Sequence, residues 1–210
     1  MKIEAAYKYI KENILQGDWS REEAINVNNI TKTLNISRTP VNKALRRLEQ
    51  EGYITIVPQV GVFVKQPDPQ EVYEKMLICA TIDALMTSHA ALTISEEKLA
   101  YLEELLYQME DETLPYDQYA ELNIEFHTVI LHASGLKYML EITKEYWDYL
   151  NYVSSPHDLF AGEARKRSHI EHWMIYNSLV ERDSAMARSV MEKHMERVAK
   201  HVKKKMMALE

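Results

Sequence analysis

Hydrophobic residues recur at helical spacing in three short segments at the start of the chain. The first segment runs from Ile3 to Gln16, and the second is centred on Ile30 and Leu34. The third has its apolar stripe between residues 41 and 48. Residues that repeat every three or four positions lie on one face of a helix, so the spacing predicts three amphipathic helices.

Capping and helix-breaking residues set the ends of these helices. Asn28 or Asn29 is the expected N-cap of the second helix, because an asparagine side chain can accept a hydrogen bond from an N–H of the first turn. Ser37 is the expected N-cap of the third helix, which has Pro40 within its first turn, where a missing N–H costs little. Gly52 is expected to end the third helix.

The pattern then changes from helical spacing to alternation. The segment "YITIV" alternates like a half-buried strand, "PQVG" is typical of a turn, and "VFV" reads as a returning strand. The order helix, helix, turn, helix, hairpin predicts a winged helix-turn-helix domain over residues 1–66. Two prolines in residues 67–70 disfavour helix and predict a linker there.

Residues 71–210 keep the helical period throughout. Thr93 and Glu96 have the spacing of a capping box, and Asp183 can cap the last helix. The chain has only 5 Gly and 6 Pro, which favours long helices. The fold class is therefore expected to be mostly α, with an all-α helical bundle after the winged helix-turn-helix. The predicted helices lie near residues 70–92, 95–112, 116–134, 137–153, 158–182 and 184–207.

Charge separates the two predicted domains. Residues 1–66 carry 10 Lys and Arg against 7 Asp and Glu, whereas the remainder carries 15 against 25, within a total net charge of -7. A basic first domain and an acidic second domain suggest different partners for the two domains.

Cysteine content and hydropathy bear on where the protein is expected to act. Cys79 is the one cysteine, so no internal disulfide can form. No apolar signal-peptide region is expected at the start of the chain, and no run approaches the roughly 18 apolar residues of a membrane span. A soluble, cytoplasmic protein without a membrane partner is expected.

The segment "SRTPVNKALRR" is the candidate recognition helix. Ser37, Arg38 and Thr39 lie at its N-terminus, where backbone N–H groups and the helix dipole favour phosphate. Arg46 lies two turns further on, and arginine can bond guanine through two hydrogen bonds. The alternative is an ordinary solvated helix in a small α/β domain.

Histidines occur on three helix faces that are otherwise apolar. Asn123 and His127 are one turn apart on one predicted face, and His172 and His194 lie on the apolar stripes of the last two helices. Buried imidazoles need partners, and one divalent ion can serve several of them. The set Asn123, His127, His172 and His194 therefore predicts a transition-metal site in the bundle core, with Zn or Ni as the expected ion. His169 is a possible neighbour of that site.

Two other classes of protein fit parts of this pattern. A metal-dependent hydrolase with a DNA-binding head would also use histidines and an open coordination position. It needs a general base, and Glu125 and Glu171 are both expected to point away from the histidine faces. An architectural DNA binder, whose helical domain only dimerises, would need neither metal nor effector.

Both halves of the sequence resemble one family. The stretch "SRTPVNKALRRLEQEGYITIVPQVGVFV" resembles the winged helix of GntR-family regulators, which commonly read SRTPVREALRRLEAEG before a short hairpin. The segments "NIEFH", "IEHW" and "MEKH" resemble, in order and spacing, the motifs of the all-helical FCD ligand-binding domain of that family. The resemblance covers nearly the whole chain.

The resemblance implies roles for individual residues. It implies DNA contacts from the recognition helix and from a glycine in the wing, and a metal held by Asn123, His127, His172 and His194. Many members have Asp at position 123. Asn at this position removes one negative charge, so more of the positive charge of the metal remains for an anionic ligand to neutralise. The expected DNA-binding residues are Ser37, Arg38, Thr39, Asn42, Arg46 and Gly61.

The sequence departs from the family pattern in two places. Asn42 stands where an arginine is usual, so the operator sequence is expected to differ from those of typical members. Members often carry Arg and Glu on the first helix of the second domain, where this chain has Lys75 and Asp83. The hypothesis is a homodimeric repressor that binds double-stranded operator DNA and senses a small carboxylate at the metal. Residues 71–210 would bind metal and effector and form the dimer.

Overall fold

The computed structural model describes residues 2–20 and 22–208, which fold as two compact units. The first unit is Met1–Asp68 and the second is Pro69–Glu210. Helices dominate both units, and the described residues contain one sheet of two strands. The mostly α fold that the sequence predicts is therefore what the chain adopts.

The first unit is a three-helix cluster with a hairpin. It comprises α1 (Lys2–Leu15), α2 (Val27–Thr33), α3 (Arg38–Glu51), β1 (Ile54–Val57) and β2 (Gly61–Val64). The strands pair antiparallel, from Ile54 opposite Val64 to Val57 opposite Gly61. Most residues of the predicted apolar stripes form the core, since α1 and α3 pack together and bury four residues each, although Ile3 at the start of α1 is exposed. The buried residues are Ala6, Tyr7, Ile10 and Ile14 of α1 and Val41, Ala44, Leu45 and Leu48 of α3.

The ends of α2 and α3 show how local chemistry sets the helix-turn-helix. The N-cap of α2 is Asn26, whose side chain accepts a bond from the N–H of Asn29, so the prediction of Asn28 or Asn29 was wrong. Ser37 is the N-cap of α3, as predicted, although its side chain makes no capping bond. Gly52 ends α3 at a φ of 89°, a left-handed conformation that glycine adopts at little cost.

The second unit is a bundle of seven described helices. In it, α4 packs most extensively on α10 and also contacts α6, α7 and α9. The bounds are α4 (Pro69–Thr93), α5 (Glu96–Met109), α6 (Tyr116–Ala133), α7 (Lys137–Val153), α8 (Pro156–Phe160), α9 (Glu163–Val180) and α10 (Ser184–Met207).

Two local predictions for this bundle were wrong. Ser95, not Thr93, caps α5, because the Ser95 side chain accepts a bond from the N–H of Lys98 while Thr93 still belongs to α4. The helix expected over 158–182 is interrupted, because Gly162 takes a φ of 58° between α8 and α9. The predicted Asp183 cap of α10 is confirmed, since its side chain accepts from the N–H of Met186.

Helix α4 is unusually apolar. One 18-residue window within it has a mean hydropathy of 1.4, so by length and composition alone α4 could cross a membrane. Half of that window is buried inside the unit, against the helices named above. The core helix of a globular domain passes the same test, so the finding is weak evidence for a membrane span.

Candidate DNA-binding surface and metal centre

One face of α3, together with its N-cap, presents a polar surface to solvent. Five predicted DNA-binding residues are exposed on it, together with Lys43. The buried stripe of Val41, Ala44 and Leu45 faces the opposite way, into the core. Polar side chains from one helix face are therefore free to meet a groove or a phosphate. The five exposed residues are Ser37, Arg38, Thr39, Asn42 and Arg46.

Neighbouring contacts distinguish the arginines of α3. A guanidinium nitrogen of Arg38 donates to the side-chain oxygen of Asn28 at 2.8 Å, which holds Arg38 against the start of α2. Arg47 lies over the ring of Tyr7 at 3.8 Å and bonds Glu51 at 2.9 Å. Arg47 is thus engaged in packing α1 on α3, whereas Arg38 stays at the exposed end of the helix.

Gly61 lies at the start of β2, at the base of the wing. A Cβ built at this position would come within 3.0 Å of the Cβ of Ala24, so close approach of the backbone favours glycine here. The tip of the wing carries Val60, which is 68% exposed. The structure thus gives Gly61 a packing role, independent of any contact with DNA.

The second unit brings three of the predicted metal ligands together. His127 of α6, His172 of α9 and His194 of α10 each offer a ring nitrogen, and these nitrogens lie within 4.8 Å of one another. All three side chains are buried, and the rings of His172 and His194 have centroids 4.8 Å apart. Helices distant in sequence therefore supply one compact cluster of nitrogen donors.

The unpaired nitrogens of this cluster fit a metal ion. Both ring nitrogens of His172 and the Nδ1 of His127 are buried without a hydrogen-bond partner. Burying such atoms costs free energy unless a partner binds their lone pairs or accepts their protons in hydrogen bonds. Burial lowers the pKa of His127 to about 3 and holds the pKa of His172 well below its usual range. Neutral imidazole is the form that binds Zn and similar ions, so the residues present suit such an ion.

A carboxylate on α9 orients the third histidine. Glu171 Oε2 lies 2.7 Å from His194 Nδ1, and Arg197 bonds both oxygens of Glu171 at 2.7 and 2.8 Å. The expectation that Glu171 points away from the histidines was wrong. The reason is that α10 packs along the flank of α9, so a residue beside the core-facing stripe meets His194. Nδ1–H of His194 can donate to Glu171, which leaves Nε2 for a metal.

Asn123 reaches the same region from α6, one turn before His127. It is half-buried, and it lines a cavity of about 180 Å³ together with His127 and His194. His169 lies one turn before His172 on α9. Its Nε2 accepts a bond from Trp173 Nε1 at 3.1 Å and faces Glu110 at 3.9 Å. Its place beside the metal site stays a prediction.

Trp147 of α7 was not predicted to lie near the site, and its partner Asp83 was noted only as a departure from the family pattern. The ring of Trp147 lies 5.9 Å from that of His127, and its Nε1–H donates to Asp83 Oδ2 at 3.1 Å. Asp83 is fully buried, its Oδ1 has no partner, and burial raises its pKa to about 7. An acidic residue amid the apolar positions of α4 was the signal that could have drawn attention to this pair.

Comparison with known proteins agrees with both units. The sequence profile of "Bacterial regulatory proteins, gntR family" matches residues 2–64, and that of the FCD domain matches residues 74–197. The HTH-type transcriptional repressor GlaR of Escherichia coli strain K12 is 22% identical over 198 residues, 90% of each chain. The repressor RspR of the same strain is 24% identical over 202 residues, 94% of this chain and 87% of its own.

Solved structures share the architecture. E. coli McbR/YncC superposes with a TM-score of 0.70 at 19% identity, covering 98% of each chain. A putative GntR regulator from Rhodococcus sp. RHA1 has a TM-score of 0.64 at 16% identity, covering 95% of this chain and 96% of its own. At such identities the likeness shows the fold alone.

The families and the relatives are transcriptional regulators, not enzymes. The winged helix, the helical bundle and both profile matches together place this chain in the gntR family of DNA-binding transcriptional regulators, with an FCD domain as its second unit.

Proposed function

We propose that this regulator is a homodimeric repressor whose FCD domain binds a divalent transition metal and a small carboxylate effector. The observation that carries the proposal is the meeting of His127, His172 and His194 from three helices. Three ring nitrogens of His127 and His172 are buried there without a hydrogen-bond partner. Two relatives carry the word repressor in their names, which supports repression here. A regulator of this kind acts on DNA in the cytoplasm.

The operator contacts are assigned to the exposed face of α3 and to the wing. Ser37, Arg38 and Thr39 would anchor the helix N-terminus at phosphates and base edges, and Arg46 would reach further along the groove. Asn42 suits adenine or a phosphate better than the paired guanine acceptors that arginine reads. Gly61, which packs closely against Ala24, would position the wing for its contact with DNA. One winged helix reads few base pairs, so a two-fold dimer on a near-palindromic site doubles the contacts.

The metal would be held by His127, His172 and His194, with Asn123 as a weaker oxygen ligand. When bound, a Zn or Ni ion supplies open coordination positions that attract a carboxylate oxygen. Three neutral imidazoles and one amide bring no negative charge to a dication in a buried site. Glu171 adds a carboxylate behind His194, but Arg197 bonds both of its oxygens and offsets that charge. The charge balance therefore favours an anionic effector.

Effector and operator would be coupled through the arrangement of the two DNA-binding units in the dimer. A ligand shifts such an equilibrium only by its difference in affinity between the two states. Linkage also requires that metal and effector strengthen each other by the same factor. Asn123→Asp should then raise metal affinity and lower carboxylate affinity, because the added charge already neutralises part of the dication.

A series of measurements on one protein preparation tests the proposal step by step. The protein is purified without chelator, its metal content is measured, and its operator is selected from random DNA. Fluorescence anisotropy then measures operator affinity with and without metal and carboxylates, and sedimentation measures the oligomeric state. Metal at about one ion per chain, lost in His172→Ala, supports the proposal. Wild-type metal content equal to that of His172→Ala, or a monomer both free and on DNA, would overturn it.

A further inference from the structure

The cavity beside the histidines is lined by a few polar side chains and by many apolar ones. Asn123, His127 and His194 supply polar groups, and the remaining lining is dominated by apolar side chains such as Met76, Leu150 and Met195. Ser154 and Ser168 are the only other polar side chains among its described lining residues. A ligand that places its charged group at the histidines would therefore place its tail against hydrocarbon.

No Lys, Arg, Asp or Glu lines this cavity among the residues that the structure describes. Arg197 contacts the lining from behind, since it donates to Ser168 Oγ at 2.8 Å. Arg197 is already paired with both oxygens of Glu171. A second carboxylate on the ligand would find no free cation there, and burying an unpaired charge is costly.

A larger cavity, which Trp147 also lines, provides a contrast. It measures about 470 Å³ and also includes Asn123 and His127, but it does not include His194. Charged side chains line it, among them Glu141, Lys144 and Asp148. A polar or doubly charged ligand would suit this larger cavity better. The smaller cavity is the one that reaches two of the three clustered histidines, so we assign the effector to it.

Size limits the ligand further. The smaller cavity, at about 180 Å³, is close to the apolar cavity of about 150 Å³ that accommodates benzene in an engineered protein. A tail of several hydroxyl groups would meet only two serines and one amide at the described positions. Each unpaired hydroxyl would lose its bonds to water without replacement.

We infer that the effector is a monocarboxylate with a compact apolar tail no larger than a benzene ring, and that dicarboxylates and polyhydroxy acids are excluded. This inference rests on the proposed function, because the carboxylate needs the metal as its counter-charge. Benzoate and 3-methylbutanoate represent the favoured class, and succinate and gluconate represent the excluded classes.

The test is calorimetry on the zinc-loaded full-length dimer with these four acids. Benzoate or 3-methylbutanoate should bind at least about tenfold more tightly than succinate or gluconate, in line with the discrimination that unpaired polar groups impose. Ala120→Leu adds volume to the lining and should weaken benzoate binding by a similar factor, while zinc affinity stays unchanged. Lys144→Ala, in the larger cavity, should leave benzoate binding unchanged.

A gain-of-function variant sharpens the test. Met76→Arg places a cation in the lining and should raise succinate affinity above that of the wild type. Circular dichroism and zinc affinity establish whether this variant folds, and Ala120→Leu carries the test if it does not.

The outcomes separate the two proposals. Tighter binding of succinate or gluconate than of benzoate, or weakened benzoate binding in Lys144→Ala, overturns the inference about the tail and leaves the metal site standing. Binding of every acid that is indifferent to zinc, or no zinc binding at all, overturns the proposed function itself.

Discussion

The candidate DNA-binding surface and the histidine cluster differ in how exposed their polar groups are and in whether those groups carry charge. The polar side chains of α3 are exposed and come from ten consecutive positions, 37–46, so their charges stay hydrated until a polyanion replaces the water. The histidines are buried and come from three helices, and burial lowers the pKa of each of them, which favours the neutral imidazole. The contrast teaches that exposed cations suit a partner that arrives with many charges, whereas buried neutral donors suit a single ion.

The largest expected effect comes from removing a buried donor. His172→Ala should lower zinc affinity by more than about 100-fold, since loss of an outer partner of a ligand already costs about 10–100-fold. A competition titration with a chromophoric chelator measures this. His132→Ala is the matched control, because His132 lies on α6 with His127 but is exposed. Equal zinc affinity in the two variants would remove His172 from the site.

A substitution on the exposed face of α3 should weaken operator binding and leave the metal site unchanged. Arg38→Ala should weaken operator binding by about 1–3 kcal/mol at fixed salt, the range for a lost bidentate base contact, without changing zinc affinity. Anisotropy titration against the selected operator measures the loss. Arg47→Ala should instead lower the thermal stability of the first unit, because Arg47 packs on Tyr7 and pairs with Glu51. Equal operator affinity of Arg38→Ala and wild type would contradict the assignment.

Glu171 tests whether the buried cluster depends on its supporting contacts. Glu171→Gln removes the charge that holds His194 Nδ1–H and should reduce zinc affinity by about 10–100-fold. The Co²⁺-substituted protein should also show a changed visible spectrum, since the ring orientation of His194 would relax. Glu125→Gln on α6 is the control, because Glu125 is exposed. An unchanged spectrum and affinity in Glu171→Gln would mean that packing alone fixes His194.

We expect substitution of Asp83 to have the smallest effect on function and to change how the stability of the fold depends on pH. Its pKa is raised from 3.8 to about 7, so between these values the folded chain holds a proton that the unfolded chain releases. Stability from this group is therefore full at low pH and is lost as pH rises towards 7. Asp83→Asn should abolish that loss and raise the Tm near neutral pH by a few degrees.

Thermal unfolding across this pH range, followed by circular dichroism, compares Asp83→Asn with wild type. Asp117→Asn is the control at an exposed position of α6. Parallel pH curves for wild type and Asp83→Asn would show that the Asp83 carboxyl is ionised in the fold despite its burial.

The winged helix-turn-helix was predictable because its information is local. Apolar spacing, Gly52 and the alternating residues after it identify three helices and a hairpin within about a third of the chain. The one local error, Asn26 instead of Asn28 or Asn29 as the cap of α2, arose because several adjacent asparagines can each cap a helix. The α8–α9 break at Gly162 was missed for a related reason, since one glycine inside a helical pattern is often tolerated.

The sequence by itself determined the two-unit order and the helix faces that carry His127, His172 and His194, because the helical period fixes which residues share a face. Only the tertiary structure decided which flanks of those helices touch. Packing of α10 along α9 brought Glu171 to His194, and packing of α7 on α4 brought Trp147 to Asp83. These pairs are separated by 23 and 64 positions, and no sequence period specifies such contacts. The uncharged lining of the smaller cavity likewise exists only where several helices meet.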